Sequence, residues 1–91
     1  MRVGVENLMG RFFYADVEEN ATVGTLKREI ATVDATLHES RLILMLPTGR
    51  LMTDERRALA EYGVLDGSIV YLFFTSAPID PHWLAYFQDF F

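Results

Sequence analysis

Hydrophobic period changes once, sharply, within the first 33 residues, and that change restricts the chain to a small set of folds. Met1, Val3 and Val5 alternate with Arg2 and Gly4. A second alternating run, Phe12 to Val17, carries Phe13, Ala15 and Val17 on one side and Phe12, Tyr14 and Asp16 on the other. Alternation of this kind builds half-buried strands. Between the runs lies Asn7-Leu8-Met9-Gly10, whose Asn and Gly accept the unusual backbone angles of a hairpin connection. The period then lengthens. Val23, Leu26 and Ile30 fall at i, i+3 and i+7, with Val33 extending the stripe, and predict a helix from about Val23 to about Val33. Thr22 is its expected N-cap, although Thr25 stands where a full capping box carries Glu or Gln.

Strand character returns afterwards. Arg41 to Leu46 predicts a third strand, Pro47-Thr48-Gly49 its turn and Leu51-Met52 a short return strand. Asp54 to Tyr62 is expected to hold a 3₁₀ turn around Leu59. Asp66-Gly67 turns the chain into Ser68–Phe74, its most strongly β-forming run. One helix on one face of a mixed sheet of four to five strands is the α+β way of burying a single apolar stripe. Residues 1–75 read as this domain and 76–91 as a separate aromatic tail.

Composition narrows function. In 91 residues and 10.4 kDa there is room for one domain. With 13 acidic against 8 basic side chains the chain lacks the positive charge that phosphate backbones demand, so no nucleic-acid ligand is expected. The absence of cysteine excludes disulfides, thiolate metal sites and a cysteine nucleophile. No apolar run approaches the roughly 20 residues of a membrane span, and the N-terminal residues do not read as a signal peptide. His38 and His82 have no partner at a metal-ligand spacing, and Asp34, Glu39, Asp54, Glu55, Glu18 and Glu19 read as solvated charges. No catalytic site, metal or cofactor is expected.

Several segments together resemble the ubiquitin-like family. Met1-Arg2-Val3-Gly4-Val5 through Leu8-Met9-Gly10 has that family's hairpin length. Ala21-Thr22-Val23 with Leu26-Lys27 and Ile30 is similar to its helix, and Arg41-Leu42-Ile43 to its third strand. Leu59-x-x-Tyr62-Gly63-Val64 followed by Asp66-Gly67-Ser68 resembles its most specific signature. The resemblance implies a β-grasp fold over about Met1–Phe74, with the tyrosine hydroxyl pinning a loop. It also implies a cytoplasmic or nuclear protein that binds ubiquitin receptors or proteasome-associated proteins. The departures bear on chemistry. Conjugated members end in Gly-Gly just after the last strand, whereas Thr75-Ser76-Ala77 stands here and no glycine follows Gly67. The only lysine is Lys27, where the family's least exposed lysine lies. A non-conjugated type is therefore expected unless a further segment supplies the diglycine.

The pleat nominates the binding surface. If Val3, Val5, Phe13, Ala15, Val17, Leu42, Leu44, Val70 and Leu72 face the helix, then Gly4, Phe12, Tyr14, Arg41, Ile43, Ile69, Tyr71 and Phe73 point outward. A solvated sheet face is ordinarily polar; this one is largely apolar. Leu8, Ile43, Tyr71 and Phe73 occupy positions that, by the resemblance, form the family's recognition patch, with Phe12 and Tyr14 beside them. In the tail, Asp80-Pro81 reads as a helix start, and Trp83, Phe87 and Phe90 follow at i, i+4 and i+7. Such a helix needs a surface, and Gly4 offers a gap where a ring settles. The chain's own sheet, a second copy through self-association, and an outside partner all remain open as that surface, as does a disordered tail that docks on none of them.

Overall fold

A computed structural model describes residues 1–7, 9–34, 38 and 41–74. The hairpin strands are β1 (Arg2–Asn7) and β2 (Phe12–Asp16), followed by the helix α1 (Val23–Val33). Then come β3 (Leu42–Met45), a 3₁₀ turn (Leu59–Tyr62) and β4 (Ile69–Phe74). The four strands form one mixed sheet in the order β2-β1-β4-β3. β1 and β4 lie parallel at its centre, and β2 and β3 flank them antiparallel.

The hairpin turn is built by Asn7, whose Oδ1 accepts the N–H groups of Met9 and Arg11, both at 2.9 Å. Gly10 completes it at φ +80°, an angle that costs glycine nothing. The predicted helix bounds hold. The Thr22 hydroxyl accepts the Thr25 N–H at 3.2 Å. Val23 and Gly24 donate their free N–H groups to the carbonyls of Arg57 and Glu55, at 3.1 and 2.9 Å. Those two bonds satisfy orphan donors of the first turn and anchor the 54–57 loop across the helix end.

Val23, Leu26 and Ile30 are fully buried against Val3, Val5, Leu42, Leu44, Leu59, Val70 and Leu72. The expected inward set is buried, with Phe13 partly so. Two sequence expectations change. Val33 is 47% exposed, whereas Lys27, at the position of the family's least exposed lysine, is buried at 3% exposure as that resemblance implied. Its stem packs inward and its ammonium donates to Glu55 Oε1 at 3.1 Å, at the rim of the fold. Leu51-Met52 forms no strand of its own: Leu51 makes one bridge to Met45, and Met52 donates to the Leu44 carbonyl at 2.9 Å. A single bridge is what remains when the return segment leaves β3 for the core, where Met52 is buried.

The 3₁₀ turn around Leu59 forms as expected. Tyr62 is buried, and its hydroxyl accepts the Asp54 N–H at 3.1 Å. The Arg50 and Arg57 guanidinium carbons lie 4.9 and 5.6 Å from its ring centre. Gly63 ends the turn at φ +82°. Among the described residues no helix is long and apolar enough to cross a membrane.

Candidate outer-face interaction site

Register places the outward side chains in rows. Gly4 stands between Tyr14 on β2 and Ile69 on β4. Glu6 stands between Phe12 on β2 and Tyr71 on β4, with Met45 of β3 beyond Tyr71. Ile43 pairs with Phe73 in the last row. The structure therefore brings Phe12, Tyr14, Ile43, Tyr71 and Phe73 onto one sheet face. Leu8 of the expected patch, and the tail residues Trp83, Phe87 and Phe90, lie outside the described residues.

Exposure divides this face. Phe12, Tyr14 and Ile69 are 43%, 55% and 42% exposed, whereas Ile43, Tyr71 and Phe73 are half-buried. Phe12 and Tyr14 meet edge to face, ring centres 5.0 Å apart. Arg2 reaches over Tyr14, its guanidinium carbon 5.3 Å from the ring centre, and its Nε donates to Asp16 Oδ1 at 3.2 Å. That exposed pair closes one end of the face and contributes little to stability.

The gap expected at Gly4 is already filled, and from within. A Cβ on Gly4 would stand 2.8 Å from Phe12 Cζ and 3.0 Å from Phe12 Cε2, because the end of the Phe12 ring reaches over the glycine from the diagonal position. Gly4 is buried as a result. No incoming ring settles there; what a partner meets is the Phe12 ring itself.

Two outward residues escaped the sequence reading. Glu6 and Met45 share parity with Gly4 and Ile43 and were legible by the same pleat rule. Glu6 is half-buried between Phe12 and Tyr71, the one carboxylate among the described residues in the middle of this apolar face.

Residues 12–67 match the family model described as the ubiquitin-like domain of telomere repeat-binding protein 1-like proteins. The chain belongs to this family. The matched stretch runs from β2 through the Tyr62 turn to the approach to β4, and the β-grasp arrangement agrees with it. No curated protein matches the chain significantly. A ubiquitin-like domain of this family is a protein-interaction module.

Proposed function

We propose that this ubiquitin-like domain is a non-conjugated docking module that captures its protein partner on the outer sheet face. Ile43, Tyr71 and Phe73 form the anchor, and Phe12, Tyr14 and Ile69 form the flank. The observation that carries the reading is the sheet face itself: three large apolar side chains more than 40% exposed, contiguous with three half-buried ones. Contiguous apolar surface rimmed by charge marks interaction sites, and aromatic residues dominate binding energy where they occur. By the resemblance to ubiquitin, the partner class is a ubiquitin receptor or a proteasome-associated protein, which sets the work in the cytoplasm or nucleus. Glu6 adds a condition. Covering a carboxylate without a hydrogen-bond donor is costly, so the partner presents an apolar surface with one donor or cation opposite Glu6.

The test is a titration of the ¹⁵N-labelled chain with the ubiquitin-binding domain of a proteasomal receptor. Amide shifts concentrated at residues 43, 71 and 73 support the reading. Ile43→Ala with Phe73→Ala is expected to weaken binding by at least about 2 kcal/mol, a typical hot-spot loss, with the fold intact. Unchanged affinity in that variant refutes the face as the binding surface.

A further inference from the structure

β2 lies at the edge of the sheet, and β1 takes only half of its backbone groups. The Asn7 N–H donates to the Arg11 carbonyl and the Val17 N–H to the Met1 carbonyl, both at 3.0 Å. Bonding direction alternates along a strand. Arg11, Phe13, Ala15 and Val17 therefore turn toward β1, whereas Phe12, Tyr14 and Asp16 turn their N–H and C=O groups outward from the sheet edge. Among the described residues these outward backbone groups have no hydrogen-bond partner. Native edges are ordinarily blunted by proline, lysine, a bulge or a covering segment. β2 has no proline or lysine, and its register with β1 runs from Phe12 to Asp16 without a bulge. On the outer face the exposed rings of Phe12 and Tyr14 stand beside this edge. On the helix side its chemistry is different. There Asp16, Val17, Glu18, Thr25 and Glu29 line a groove of about 270 Å³. The neighbouring cations are engaged: Arg2 with Asp16, Arg28 with Thr25 Oγ1 at 3.3 Å, and the Met1 ammonium with the Val17 carbonyl at 2.6 Å. Among the described residues the Glu18 and Glu29 carboxylates have no counter-ion.

We propose that the β2 edge takes up an extended segment of a partner protein, which adds a strand to the sheet through the free groups of Phe12, Tyr14 and Asp16. Period two fixes the chemistry of that segment. Its residues on the outer side are apolar or aromatic and lie against Phe12 and Tyr14. Its alternate residues, on the helix side, are Lys or Arg and reach Glu18 and Glu29. The net charge of −5 favours the approach of such a basic segment. A second copy is the poorer occupant, because antiparallel pairing of two β2 strands sets both acidic grooves on the same side of the joint sheet. The proposal goes beyond the receptor reading. Ile43 and Phe73 lie on β3 and β4, about 9–14 Å across the sheet, so the two sites are separable.

Hydrogen exchange and a peptide titration of the full ¹⁵N-labelled chain test this. In the free chain the amides of Phe12, Tyr14 and Asp16 are expected to exchange fast, and those of Phe13 and Ala15 slowly. Slow exchange at all five in a monomer shows an edge already covered and overturns the proposal. Slow exchange lost on dilution, with a dimer in light scattering, assigns the edge to a second copy and also overturns it. The probe is a short capped peptide of alternating valine and lysine, with a valine–glutamate peptide as control. The basic peptide is expected to shift and protect the amides of residues 12, 14 and 16, and to bind at least about tenfold more tightly than the control. Tyr14→Pro removes an edge-facing N–H and no ladder bond, whereas Tyr14→Ala removes only the ring. The proline variant is expected to bind at least about fivefold more weakly than the alanine variant. Glu18→Gln with Glu29→Gln leaves the edge intact and is expected to weaken binding at least about threefold. No shift at residues 12–16, equal binding of the two peptides, or unchanged affinity in the double glutamine variant overturns the proposal.

Discussion

The Phe12 ring over Gly4 makes the sign of one substitution depend on another. Phe12 is 43% exposed, so somewhat over half of the roughly 150–250 Å² it presents is enclosed, with Gly4 and Tyr14 among its neighbours. At about 25 cal/mol per Å², the loss on Phe12→Ala is about 2–3 kcal/mol as an upper value. Gly4→Ala alone puts a methyl 2.8 Å from Phe12 Cζ and 3.3 Å from Ile69 Cγ1. The strand backbone at Gly4 accepts alanine, since its φ is not positive, and the reduced chain entropy favours the change by about 0.5–1 kcal/mol. The ring must lift, however, and gives up much of its enclosure. The expected net effect is a destabilisation of about 1 kcal/mol. Once Phe12 is alanine nothing obstructs the methyl on that side, and Gly4→Ala becomes stabilising by about 0.5–1 kcal/mol. Urea unfolding of the four chains of this cycle, followed by circular dichroism, gives an expected coupling of about 1.5–2 kcal/mol. Equal effects of Gly4→Ala in both backgrounds, within about 0.3 kcal/mol, would show that the ring does not lie on the glycine.

The buried end of the Lys27–Glu55 pair supplies a second contrast. Glu55→Ala strands an ammonium on a side chain that is 4% exposed, and is expected to cost about 1–3 kcal/mol, less than a fully buried pair because Glu55 itself is 59% exposed. Lys27→Met keeps the stem without the charge and is expected to fall within about 1 kcal/mol of the parent; thermal unfolding distinguishes the two, and equal losses would refute the asymmetry. Tyr62→Phe removes the acceptor for the Asp54 N–H and is expected to cost about 1 kcal/mol, with faster hydrogen exchange at that amide and not at Leu26. Glu6→Gln preserves an acceptor and is expected to leave receptor affinity within about threefold. Glu6→Lys, by contrast, should cost at least tenfold, measured by calorimetry against the receptor domain.

Hairpin, helix and final strand were legible because each is written in local period, and period survives whatever the element packs against. The same is true of the Tyr62 loop, whose tyrosine, glycine and flanking apolar residues stand at short fixed spacings. Pleat parity carried the outer face as well, and it contained Glu6 and Met45 although the reading passed over both. The ring of Phe12 on Gly4 was of another kind. It joins positions eight apart in sequence through a diagonal across β1 and β2, and only the register defines that diagonal.

Sequence alone determined that this chain alternates, coils and alternates again, and so determined an α+β domain with one apolar stripe to bury. Tertiary structure decided which side chains actually occupy the boundary of the core. Lys27 is buried and Val33 exposed because the sheet and the 54–57 loop cover the early turns of α1, with Glu55 placed to receive the ammonium. The 51–52 segment is a bridge because Met52 packs in the core. The physical reason is common to these cases. Period is a property of neighbouring residues, whereas enclosure depends on which distant segment arrives opposite, and no local pattern records that arrival.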